Sequence, residues 1–189
     1  LIEAAAASEP DGIIVSLPDA DALGPAIKAA VADGIPVVTM NSGLESSAEL
    51  GALMHVGQPE RDAGEAAGTR AASEGVTNGL CLNQEAFNTA LVDRCEGYFA
   101  GLGGDLNMID VSNDPAQIET RTAAALDADP SIDGVLAVGP LVCAAANKAI
   151  KDVGATVHLS CFDLSADVKN LIKSGEVKYT IDQQQRLQG

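Results

Sequence analysis

The chain has 189 residues, with 11 Lys or Arg against 27 Asp or Glu, a formal net charge of −16. Such a charge repels phosphate backbones and anionic lipid, which makes nucleic acid a poor partner for this stretch of chain. A hydrophobic fraction of 47% with 20% charged residues fits a folded domain with a sizeable core. The longest apolar stretch, residues 135–146, is interrupted by Gly139 and Pro140, short of the roughly 18 residues a spanning helix needs.

Short β-branched or apolar runs alternate with Ala-rich stretches whose apolar residues recur at three and four. The chain opens at Leu1 in a helical pattern with no Met or leader, so its natural start is expected upstream. A strand over 11–17 leads to a helix over 20–32, then to strands over 35–41 and 53–58 with no helical pattern between them. From there the order is helix 61–73, strand 77–83, helix 89–102, strand 107–112, helix 115–127 and strand 133–139. Helix 141–153, strand 157–163, helix 166–173 and strand 177–183 complete it. Asn88 and Ser165 stand where helix caps belong, and Pro115 suits a first helical turn. Gly34, Gly75, Gly154 and Gly175 each follow a helical stretch. Runs such as Gly12-Ile-Ile-Val15 and Gly134-Val-Leu-Ala-Val138 are apolar on both faces, as in parallel sheet covered by helices on both sides. The predicted fold class is α/β, open and doubly wound.

Sheets of this kind bind ligands at the carboxyl ends of their strands. The residues there are amides and carboxylates almost throughout, among them Asn41, Asn83, Gln84, Glu85, Asn113, Asp163 and Gln183. Side chains of this type pair donors with acceptors in the way a polyhydroxylated neutral ligand requires. Catalytic chemistry has no recognisable carriers. No glycine-rich phosphate cradle joins a strand to a helix, and the Gly-x-Ser-x-Gly and His-Glu-x-x-His patterns are missing. His55 and His158 lie early in predicted strands, where packing is the expected role. The expectation is a non-enzymatic protein without a cofactor. Cys81, Cys95, Cys143 and Cys161 lack the short paired spacings of zinc ligands, so no metal site is expected. Four cysteines allow three pairings; the sequential one, Cys81 with Cys95 and Cys143 with Cys161, closes short loops between neighbouring elements. Four buried thiols in a reduced protein is the competing reading.

Five stretches in order resemble the type I periplasmic binding proteins that deliver sugars to ABC transporters. They are Asp11-Gly-Ile-Ile-Val-Ser-Leu17 with Gly34-Ile-Pro-Val-Val-Thr-Met-Asn41; Val56-Gly-Gln-Pro-Glu-Arg-Asp-Ala-Gly-Glu-Ala-Ala-Gly68; Arg94-Cys-Glu-Gly-Tyr98; Phe162-Asp-Leu-Ser165; and Thr180-Ile-Asp-Gln-Gln-Gln-Arg-Leu-Gln-Gly189. The resemblance implies two lobes of similar topology that close over a sugar. Residues 1–57 would be part of the first lobe, 58–182 the second, and 183–189 a return to the first. It also implies a fold truncated at both ends, with the family's opening strand–helix–strand unit and its C-terminal elements outside this chain.

Carried over residue by residue, Asn41 falls where the family places an Asp or Asn that binds sugar hydroxyls, and Ser42 where relatives often have Arg. Arg94 matches the ligand arginine, with a surface cation salt-linked to Asp93 or Glu96 as the competing reading. Asp163 matches a strand-end carboxylate that accepts vicinal hydroxyls, against an acid that merely complements a helix dipole. Gln183 matches the hinge glutamine. Asn113 lies where some relatives carry an aromatic or amide. Gly139 lies where many carry Asn followed by Asp; Gly139-Pro140 removes that hydrogen-bonding side chain. The polar loop of Asn83, Gln84, Glu85 and Asn88 could compensate, with Asn88 also read as a helix cap, and Phe87 is the best-placed aromatic for stacking. The function implied is a monomeric receptor for a sugar or polyol, periplasmic or extracellular, with or without a lipid anchor, serving a membrane ABC permease. The alternative is the effector-sensing core of a lactose-repressor-like transcription regulator.

Overall fold

The computed structural model describes residues 1–189, and strands alternate with helices along them. The chain divides into two compact units. One comprises residues 1–59 with 87–90 and 184–189, the other residues 60–86 with 91–183.

In the first unit α1 (Ile2–Ala6) precedes β1 (Ile13–Ser16), α2 (Ala20–Ala32), β2 (Val37–Met40), α3 (Leu44–Ser47) and β3 (Met54–Val56). The strands form a parallel sheet in the order β1-β2-β3. Asp19 caps α2 by accepting the Ala22 N–H at 2.9 Å, and Gly34 takes the left-handed conformation just past the helix, at φ 82°. Ile13, Leu17, Ile27, Ala30, Val37 and Leu50 pack into one core. Alternation along β1 turns Ile14 the other way, and Ile14 and Met54 are 71% and 57% exposed. The stretch 41–53, without helical periodicity, holds the single turn α3, which is too short for a period to show. Thr39 Oγ1 donates to Ser47 Oγ at 2.7 Å and lies 2.9 Å from His55 Nδ1, which ties His55 into the packing of β2 and β3.

The second unit runs α4 (Glu60–Ser73), β4 (Gly79–Asn83), α5 (Thr89–Leu102), β5 (Met108–Asp110), α6 (Pro115–Ala128), β6 (Gly134–Ala137), α7 (Pro140–Val153), β7 (His158–Phe162), α8 (Ala166–Lys173) and β8 (Val177–Ile181). The last turn of the chain, α9 (Gln185–Gln188), belongs to the first unit. The five strands are parallel in the order β5-β4-β6-β7-β8. Alternate residues feed opposite faces. Leu80, Leu82, Val135 and Ala137 join Ile118, Val142, Ile150 and Val168 on the face covered by α6, α7 and α8. Cys81, Leu136, Val138 and Phe162 join Ala67, Ala71, Cys95 and Tyr98 on the face covered by α4 and α5. A sheet apolar on both sides needs helices on both sides, which is why the strand order is doubly wound. Asp114 accepts the Ala116 and Gln117 N–H groups ahead of Pro115, and Ser165 accepts from Val168, so both helices start where their caps dictate.

Cys81 of β4 and Cys95 of α5 form a disulfide, with their Cα atoms 5.7 Å apart. The second bridge of the sequential pairing does not form: Cys143 and Cys161 are buried free thiols. The neighbouring Cys161 thiol, together with burial, pushes the Cys143 thiol up, and Cys161 Sγ donates to Thr180 Oγ1 at 3.3 Å.

Helices α4 and α5 touch backbone to backbone. A Cβ on Gly64 or Gly68 would run into the carbonyls of Arg94 or Tyr98, and one on Gly97 or Gly101 into those of Arg61 or Glu65. Two glycines four apart on each helix therefore clear a mutual groove. Gly68→Ala is expected to lower stability by about 2 kcal/mol despite the better helix propensity of Ala, because overpacking dominates. Gly104→Ala, where a Cβ meets open space, is expected to change stability by less than about 0.5 kcal/mol. Urea denaturation followed by circular dichroism compares the two.

Candidate functional site

The second unit gathers its polar side chains at the carboxyl ends of its strands. Asp163 immediately follows β7 in the left-handed region, at φ 66°, a conformation that Asp tolerates better than most residues. Its N–H donates to the Ile181 carbonyl at 2.7 Å, and Thr180 Oγ1 donates to its own carbonyl at 2.6 Å, so β8 fixes the turn. The carboxylate accepts from Gln183 Nε2 at 2.7 Å through Oδ1. Its Oδ2 lies 3.9 Å from Arg94 Nη1.

Arg94 is held from several sides. Its Nε and Nη2 donate to the two oxygens of Glu60 at 2.7 and 2.9 Å, and Nη1 donates to the Val138 carbonyl at 2.9 Å. The guanidinium lies 4.5 Å from the centre of the Phe162 ring. Glu60 and Arg94 are 6% and 4% exposed, a buried fork-on-fork pair in which the planar guanidinium is locked before any ligand arrives. Burial pushes the Asp163 carboxyl up from its ordinary 3.8; the Gln183 hydrogen bond and the Arg94 charge oppose that shift, while Glu60 and Asp182 add to it.

The remaining sequence-predicted residues sit elsewhere. Gly139 is the N-cap of α7, where it supplies no side-chain hydrogen bond. Asn113, beyond β5, donates to Glu85 Oε1 at 3.2 Å. Asn88 Oδ1 accepts the Ala90 N–H at 3.2 Å, as a cap of α5 does. In the first unit Asn41 follows β2 at φ 64°, and Ser42, 2% exposed, donates its hydroxyl to Asn41 Oδ1 at 3.0 Å. Arg94, Asp163 and Gln183 thus come together; Asn113, Asn88 and the Asn41–Ser42 pair belong to separate local networks.

The competing reading of Arg94 as a surface cation paired with Asp93 or Glu96 does not match the structure, where Arg94 is buried, Glu60 is its partner, and Glu96 pairs with Arg61 instead. Glu60 went unmarked because an acid in the first turn of a helix is ordinary. The combination of a carboxylate, a neutral amide and a pre-oriented guanidinium offers both donors and acceptors to ligand hydroxyls, and no nucleophile–base pair.

A family model described as a periplasmic binding protein domain matches residues 1–189. A carbohydrate transporter from Acidothermus cellulolyticus 11B, solved in complex with myo-inositol, is 41% identical with a TM-score of 0.94, over 99% of this chain and 66% of that one. An ABC sugar transporter (periplasmic sugar binding protein) from Legionella pneumophila is 22% identical with a TM-score of 0.89, over 99% and 72%. An ABC transporter solute binding protein from Burkholderia graminis C4D1M, in complex with D-arabinose, is 22% identical with a TM-score of 0.82, over 93% and 64%. At 22% identity the likeness is one of fold. The chain spans just under two thirds of the Acidothermus protein. No curated protein matches it.

Two expectations follow from the charges. Glu60→Ala removes the forked partner of the buried Arg94 and leaves only the more distant Asp163 carboxylate and the Val138 carbonyl; it is expected to cost about 3 kcal/mol in chemical denaturation. Replacing all three, as Glu60→Met with Arg94→Leu and Asp163→Asn, is expected to cost less per residue changed, because no lone charge remains. For Asp163, the folded state holds its proton more tightly than the unfolded chain. The stability it contributes is therefore full below pH 3.8 and lost as pH rises through the raised folded value. Asp163→Asn is accordingly expected to melt at a higher temperature than the parent at pH 7, with the gap closing in acid; a pH series of thermal melts checks it.

Proposed function

The chain belongs to the periplasmic binding protein domain family, and from that premise we propose that it captures a sugar or polyol and hands it unchanged to a membrane ABC importer. The observation that carries this reading is the group of Arg94, Asp163 and Gln183 at the strand ends of the second unit. A carboxylate accepts vicinal hydroxyls by charge-assisted bonds stronger than neutral ones. Glu60 and Val138 engage three of the five guanidinium donors of Arg94, which leaves two for ligand oxygens without any reorganisation of the side chain. Gln183 holds the carboxylate by Oδ1, so Oδ2 is the ligand-facing oxygen. The related carbohydrate transporter bound to myo-inositol supports a polyol as the first compound to try.

Asn41 with Ser42 offers amide and hydroxyl groups at the end of β2, and Asn113 an amide beyond β5; we assign these, with Asn88 and Gly139, to ligand contacts or to the loops that shape them. The disulfide between Cys81 and Cys95 supports a periplasmic or extracellular location, since such bonds persist in oxidising compartments. The same bridge weighs against a regulator working in a reducing cytoplasm. The receptor is proposed to act as a monomer with its permease as partner.

Calorimetric titration with myo-inositol, D-arabinose, D-ribose and D-galactose tests the reading. Binding of at least one is expected, and Asp163→Ala is expected to weaken it at least about tenfold, or about 1.4 kcal/mol. Because a ligand hydroxyl donates to the ionised carboxylate, affinity is expected to fall as pH drops through the raised Asp163 value. Binding of an amino acid or nucleoside with no polyol bound would keep the fold and overturn the function.

A further inference from the structure

One strand-end side chain of the second unit has a buried polar atom with no partner. Gln84 directly follows β4, and its Oε1 is buried with no hydrogen-bond donor. The turn that carries it is fixed on both sides. Glu85 N–H donates to Asn83 Oδ1 at 2.9 Å, and Asn113 Nδ2 donates to Glu85 Oε1 at 3.2 Å. The Gln84 amide lies over Gly139, where an added Cβ would stand 2.9 Å from Nε2. Strands β4 and β6 are neighbours, with Leu82 opposite Ala137, so Gln84 and Gly139 leave adjacent strand ends. Val138, the residue before Gly139, is the carbonyl that accepts from Arg94. The unpartnered amide thus shares a strand end with the anchor of the arginine.

We propose that Gln84 is a specificity-determining residue that hydrogen-bonds one hydroxyl of the ligand, in space that Gly139 provides by having no side chain; the proposal rests on the receptor reading above. A buried acceptor without a donor is costly, and a ligand group that satisfies it recovers that cost only on binding. A hydroxyl fits whichever way the amide is turned, since it donates to Oε1 or accepts from Nε2. Replacing the glycine with a larger residue would push the amide aside, so the residue pair acts as one device. A site of this design penalises an analogue that lacks the hydroxyl more than it rewards added bulk.

The test is calorimetry on the full chain with the same polyols and their monodeoxy analogues. Gln84→Ala is expected to weaken the parent polyol about tenfold while leaving one particular monodeoxy analogue at its wild-type affinity. Gly139→Ala is expected to reproduce that loss, and the double variant to lose no more than either single one. Wild-type affinity for the parent polyol in Gln84→Ala, or an equal loss for every analogue, would overturn the proposal alone. A wild-type chain that binds none of the polyols would overturn the receptor reading and this inference with it. Should Gln84→Ala fail to fold, Gln84→Met keeps the bulk and removes the acceptor, with the same outcomes expected.

Discussion

The close approach of α4 and α5 is the constraint on which the second unit depends. Side chains on ordinary packed helices keep the axes roughly 8–10 Å apart; here glycines on each helix let one backbone rest on the other. Glycine in a helix interior costs roughly 0.5–1 kcal/mol relative to alanine, and four such positions make a sizeable cost. The return is positional. With the helices in contact, the carboxylate at the start of α4 meets the guanidinium from the second turn of α5, and both oxygens of Glu60 are engaged. The disulfide from Cys95, one residue beyond Arg94, ties the same turn of α5 to β4. Helix, strand and ion pair together fix the guanidinium over Phe162, and Asp163 is the next residue along the chain.

A second regularity lies in the backbone. Asn41, Ser112 and Asp163 each follow a strand by one or two residues, and each has a positive φ. Strain of this kind persists only where surrounding bonds over-determine it. The bonds are present: Asn41 N–H donates to Val56, Ser112 N–H to Asp110 Oδ1, and Asp163 N–H to Ile181. The effect is to turn the chain sharply at the strand end and present a short polar side chain there.

The elements were legible because their boundaries are written in local chemistry. Gly34, Gly75, Gly154 and Gly175 all stand at positive φ past their helices, and Asp114 with Pro115 starts α6. Apolar runs on both faces announced the covered second sheet. The resemblance singled out Arg94 and Asp163, but the partner of Arg94 lies 34 residues away, beyond any periodic pattern. That contact follows from the helix approach, which the sequence does carry as Gly64 with Gly68 and Gly97 with Gly101. A spacing of four within two separate helices means little until the two are known to face each other. Gln84 was visible only as one amide in a polar loop, because the lack of a donor is a property of packing. The fate of Cys143 and Cys161 was open for the same reason, since neighbouring thiols and a bridge read alike in a sequence.

Glu60, Arg94 and Asp163 sum to one negative charge when all are ionised, and two of the three are almost wholly withdrawn from solvent. A neutral molecule approaching Asp163 adds no charge to that sum. A carboxylate or phosphate ester of the same carbon skeleton would bring like charge into a region of weak screening, where each unit at 4 Å is worth about 4 kcal/mol at an effective dielectric constant of 20. Under the proposed reading the arrangement would discriminate by ionisation state as well as by shape, against acidic or phosphorylated forms of the ligand.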